Sequence, residues 1–70
     1  MDAVQRIKRR LFLQLQGWNE FVGTGIKEKK GKEYVVVQLA EANEKITSLI
    51  PKEVDGVEVE VEITGTIKAF

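Results

Sequence analysis

Seventy residues carry eleven basic and eleven acidic side chains, with no cysteine, no histidine and a single methionine. Without thiol or imidazole there is no disulfide, no thiolate or imidazole metal ligand, and no Ser/His/Asp or Cys/His nucleophile pair. A domain of this size buries only roughly 60% of the surface its unfolded chain would expose, so a second copy is the remaining means of enlarging a thin core.

Residues 3–16 read as an amphipathic helix. At 100° per residue Val4, Ile7, Leu11, Leu15 and Trp18 fall within about 80° of one another. Asp2 is placed to cap it, and Gly17 to end it in a left-handed turn. Phe12 and Leu13 fall off the stripe, on the side that carries Arg6 and Arg9. Either that face also meets protein, or the alternation of Leu11, Leu13 and Leu15 marks Leu11 to Gln16 as a strand.

Residues 20–28 and 33–39 follow as two strands joined by the polar loop Lys29-Lys30-Gly31-Lys32, a hairpin pattern. Val35, Val36 and Val37 run without interruption, which predicts cover on both faces, the first helix supplying one. The glycines at 23 and 25 lie inside the first strand, where glycine marks a bulge or a bulky neighbour lying flat on the backbone. Trp18, Phe21 and Tyr34 are the candidates for that neighbour. Residues 41–49 predict a short helix with Ala42, Ile46 and Leu49 on one side, closed by Pro51. Asp55-Gly56 is a turn signal, and from Val57 to Ala69 apolar residues occupy every second position, with Glu58, Glu60 and Glu62 between them. A crossover of this length predicts that the second and third strands run parallel in a right-handed unit. The expectation is a single small α+β domain over residues 1–70, in the order αββαβ. It has a three-stranded mixed sheet, an N-terminal amphipathic helix and a short crossover helix.

Charge is unevenly placed. Residues 1–40 hold eight basic and four acidic side chains, and residues 41–70 three basic and seven acidic. Such a split attracts a polyanion to the front half, or the back half of another molecule to it. Arg6, Lys8, Arg9 and Arg10 crowd the helix, and Lys27, Lys29, Lys30 and Lys32 the hairpin tip, which makes them the candidate nucleic-acid contacts. Neutral overall charge and the interleaved Glu28 and Glu33 argue against that reading. The glutamate row reads as a solvated strand face with Lys27 or Lys29 as cross-strand partner, rather than as a cation cage built from converging loops. Gly23-Thr24-Gly25 has no helix N-terminus after it, so a phosphate cradle is not expected. Ser48, one turn beyond Lys45, lies on an ordinary polar helix and is not expected to be a nucleophile.

The glycine-spaced strand Val22-Gly23-Thr24-Gly25-Ile26-Lys27, the run Val35-Val36-Val37, and Ile50-Pro51-Lys52-Glu53-Val54-Asp55-Gly56-Val57 before a valine-alternating strand ending Gly65-Thr66-Ile67-Lys68-Ala69 form a pattern. It resembles a short α/β module of the N-terminal leader of bacterial trypsin-like serine-protease-related proteins and of small stand-alone uncharacterised proteins. The likeness covers about two thirds of the chain, from Val22 to Ala69. Its motifs are turn and core residues, no protease domain follows within these residues, and no catalytic residue is carried over. What the resemblance implies is an accessory or protein-contact role.

The resulting expectation is a small non-enzymatic interaction or assembly module, self-associating through Phe12, Leu13 and Trp18, with no catalytic, metal or cofactor residue. A nucleic-acid binder using Arg6, Arg9, Arg10, Lys27, Lys29, Lys30 and Lys32 is the alternative. No signal peptide is readable and no run approaches the roughly 20 apolar residues of a membrane span, so a cytoplasmic protein is expected. Abundant Lys and Glu with no cysteine lean toward thermophile composition.

Overall fold

In the computed structural model, which describes residues 3–65, two helices lie on one face of a four-stranded sheet. The elements are α1 (Ala3–Leu15), β1 (Phe21–Lys29), β2 (Lys32–Leu39), α2 (Glu44–Leu49), β3 (Glu53–Val54) and β4 (Val57–Ile63). Strand order is β1-β2-β4-β3. β1 is antiparallel to β2, β2 parallel to β4, and β4 antiparallel to β3. The parallel β2–β4 pair is the one the long crossover demands, and α2 lies within that crossover.

The predicted stripe of α1 is its buried face: Val4, Ile7, Leu11 and Leu15 all enter the core, and Trp18 packs against it. Leu11 to Leu15 is helix, so the strand alternative for this stretch does not hold. Helical spacing buries Leu11 and Leu15 while leaving Leu13 outside. The helix does not end in a left-handed glycine. Gly17 is absent from the positive-φ positions, and the chain leaves through the bonds Gln16 N–H to Phe12 O and Trp18 N–H to Leu15 O. The expected cap Asp2 lies outside the described residues.

Three strands are expected from the sequence and four are present among the described residues. The additional one is β3, and it follows from the turn at Asp55-Gly56. Both residues have positive φ, 51° and 81°, and they join Val54 directly to its partner Val57. Positive φ at both central positions of a two-residue loop is the signature of a type I′ hairpin turn. Lys30-Gly31, at 53° and 78°, makes the same turn between β1 and β2. The hairpin loop is thus two residues rather than four, and Lys29 and Lys32 pair inside the ladder.

The second helix is shorter than residues 41–49 suggest, because Asn43 caps it. The Asn43 side-chain oxygen accepts from Lys45 N and Ile46 N at 2.9 and 3.3 Å, and its Nδ2 donates to Glu20 at 2.6 Å. Capping sets α2 in a register where Ile46 is buried but Ala42 and Leu49 are exposed, so the expected apolar face is only partly realised. Ile50, in the extended conformation that precedes proline, supplies the second buried side chain. β4 ends at Ile63 rather than Ala69: Thr64 donates its amide to Leu39 O, Gly65 turns away at φ 74°, and residues 66–69 lie outside the described set.

The core is one cluster. Val35, Val37 and Leu39 of β2 meet the α1 stripe, Ile46 and Ile50, and Val59 of β4. Both helices cover the same face, so among the described residues no helix forms the expected second layer on the valine run. Val36 is nevertheless only 2% exposed. Its ladder partners are Gly25 and Glu60, and Lys27 Nζ reaches Glu62 Oε2 at 2.6 Å. Lys27 is level with Tyr34 and Glu62 with Gln38, so the ion pair crosses β2 diagonally above Val36. Among the described residues, the lysine stem and the carboxylate that caps it cross this face where a helix would have lain.

Candidate functional site

Phe12, Leu13 and Trp18 differ in exposure and surroundings. Trp18 is half-buried against the core, and Leu13 points from the helix back, 55% exposed. Phe12 lies on the β1 flank, 43% exposed, with its ring edge-on to Phe21 at 5.6 Å between centroids. There it lines an open cleft of about 640 Å³ with Gln5, Lys8, Arg9, Gly23 and Thr24. Thr24 reaches up from the sheet to Lys8 O at 3.5 Å. The site is therefore a seam between α1 and β1, apolar at Phe12 and basic at Lys8 and Arg9.

Among the described residues β1 forms the outer edge of the sheet on this side. Its ladder has an irregularity between Phe21 and Gly23, where Val22 is left 55% exposed. In a two-residue hairpin the pair flanking the turn exchanges both backbone bonds, and the pattern then alternates. Lys29, Lys27, Gly25 and Gly23 hence bond inward to β2, while the amides and carbonyls of Thr24, Ile26 and Glu28 point out of the sheet. Leu39 O, which accepts from Thr64 on the β4 side, fits this parity from the opposite side of β2. An unpaired edge of this kind is a template for another strand.

Of the two readings of the strand glycines, a bulge or a flat bulky neighbour, the structure holds the first, between Phe21 and Gly23. A Cβ at either position would meet nothing within 4 Å, so no side chain lies on them. Gly23 adjoins the bulge, and both glycines leave a bare strip on the sheet face away from the helices. Sequence reading missed Val22 and the edge itself. The glycine-spaced strand bounded by a tight hairpin was the signal available for both.

The candidate nucleic-acid residues are dispersed. Arg6 stands 4.0 Å from Asp55, both well exposed, and Arg10 borders a cleft with Leu49, Pro51 and Val54 on the flank opposite Arg9. Lys27 is on the sheet face away from the helices, where the hydrogen bond and charge of Glu62 raise its pKa above 10.5. Lys29, Lys30 and Lys32 ring a hollow at the hairpin tip together with Lys52, but Glu33, Glu53 and Glu58 share it. The arginines and the lysines do not merge into one basic face.

Among the described residues no polar or charged side chain is buried, and no group of three or more carboxylates stands close enough to hold a metal ion. Lys45 and Ser48 are exposed, and the Ser48 hydroxyl donates to Lys45 O at 2.8 Å, the ordinary bond of a helical serine. No helix among the described residues is long and apolar enough to cross a membrane. Comparison with protein-family models, with curated proteins and with solved structures finds no match for this chain.

Proposed function

We propose that this chain is a small non-enzymatic protein-interaction module that associates with a second copy of itself through the α1–β1 seam. The observation that carries the reading is Phe12, a large aromatic 43% exposed beside an unpaired strand edge. In a 70-residue domain with a thin core, covering that seam adds apolar burial that one chain cannot supply. The likeness to protease-related leader modules, which implies a protein-contact role, points the same way.

Sedimentation at micromolar concentration tests it. The wild-type chain is expected to be dimeric and Phe12→Asp monomeric. The substitution also removes an edge-on aromatic pair worth about 0.5–1.5 kcal/mol, a loss a domain of this size survives. A wild-type monomer across the concentration range would overturn the reading. The nucleic-acid alternative has less support, since its cations are separated on the surface and interleaved with carboxylates. Titration into labelled DNA and RNA at two salt concentrations checks it, and incidental charge gives binding only at low salt.

A further inference from the structure

Resting on self-association, the geometry points to a specific arrangement: two copies pair antiparallel along β1 about a two-fold axis at Ile26, and Glu28 of each enters the basic cleft of the other. Only Thr24, Ile26 and Glu28 offer outward backbone groups, so hydrogen-bonded pairs across the dimer must be drawn from these. With the axis at Ile26, Ile26 faces its own copy and Thr24 faces Glu28 of the second copy.

Other axes are less favourable. One at Thr24 carries Glu28 toward Glu20 of the second copy, one at Lys27 sets that lysine against itself, and one at Glu28 sets two carboxylates together. Like charges directly opposite are destabilising. An axis at Gly25 leaves the two glycines facing each other and brings Glu28 to the bulged Val22 instead of the cations. The Ile26 axis avoids each of these.

It also satisfies three surfaces at once. Thr24 sits in the seam beneath Lys8, with Arg9 beside it, so a carboxylate arriving opposite Thr24 meets two cations. On the other face Lys27 and Lys29 of the second copy come opposite Gly25 and Gly23, where no side chain stands in their way. Ile26, half-buried against the core, is covered by its counterpart. The opposite side of the sheet is a poorer template. β3 already pairs Val57 and Glu58, and the Ile50–Lys52 segment flanks β4 beyond them, with Lys52 O accepting from Val59 N. Pairing β1 with β1 closes a two-fold dimer, whereas pairing it with β4 is a head-to-tail contact that ends only in a ring or a filament.

The chain has no cysteine, so a single introduced thiol reports on register. Facing residues of a hydrogen-bonded antiparallel pair have Cα atoms about 5.5 Å apart, inside the range a disulfide spans. Ile26→Cys is expected to form a covalent dimer under mild oxidation, while Glu28→Cys, whose counterpart lies four positions along, does not. Because Ile26 touches the core, a charge swap provides a second route. Glu28→Lys or Lys8→Glu alone should raise the dimer Kd roughly tenfold, and the two together should restore it. A dimer in sedimentation in which the Ile26→Cys thiol stays reduced and the swap changes nothing would overturn the β1 arrangement while leaving self-association standing. A monomer removes both.

Discussion

The two faces of β2 bury their valines by different means. Val37, 0% exposed, belongs to the core cluster that both helices join; Val36, 2% exposed, lies on the other face, crossed by a lysine–glutamate pair. Near-equal burial does not mean equal stabilisation. A helical layer is held in place by its own core contacts and collapses only partly when a methyl is removed. The Lys27 stem is held by a surface ion pair, with side chains 51% and 41% exposed, and can settle into the space.

Matched truncations sharpen that difference. Val37→Ala should cost about 2–3 kcal/mol, the transfer of two methyl groups plus a residual cavity. Val36→Ala should cost about 1 kcal/mol, because its cover relaxes onto the smaller side chain. Urea denaturation of both variants measures the gap, and equal losses would mean that the ion pair is as rigid a cover as the helices. The smallest effect concerns the pair itself. Lys27 has a raised pKa in the folded chain, so its contribution is complete below the unfolded value of 10.5 and is lost as pH rises through the folded value. Stability of the wild type should therefore fall more steeply above pH 10.5 than that of Lys27→Met. Identical alkaline profiles would deny the pair any role over Val36.

The helix-covered face was legible in the chain because its spacings are regular. Val4, Ile7, Leu11 and Leu15 announce their helix, and the β2 valines and alternating β4 residues announce a parallel pair. What was not legible depended on short-range geometry with little periodicity. Asp55-Gly56 was visible as a turn, but two residues of β3 are too few to show alternation, so the hairpin went unread. Asn43 shortened α2 through a side-chain bond that competes with the first helical turn. Lys27 as a partner of the glutamate row was legible and pairs with Glu62, but not its reach across β2 to a strand that is not its neighbour, which brings the pair over Val36 where the valine run suggested a second apolar layer.

The same contrast applies to the candidate site. Phe12 stood out as an aromatic off the buried stripe, and it does line the seam. Leu13 shares the off-stripe side of the helical wheel with Phe12 but is exposed on the helix back, and Trp18 lies beyond the end of α1, half-buried against the core. Pairing parity assigns Thr24, Ile26 and Glu28 to the outer edge, and that parity needs the two-residue turn at Lys30-Gly31, which sequence alone read as four residues.

Amide hydrogen exchange along β1, followed by NMR at low and high protein concentration, tests the central claim most directly. Gly23, Gly25 and Lys27 should be protected at both, whereas Thr24, Ile26 and Glu28 should exchange rapidly when dilute and slow markedly when concentrated. Rapid exchange of those three amides at every concentration, or protection with no alternation along the strand, would contradict the account.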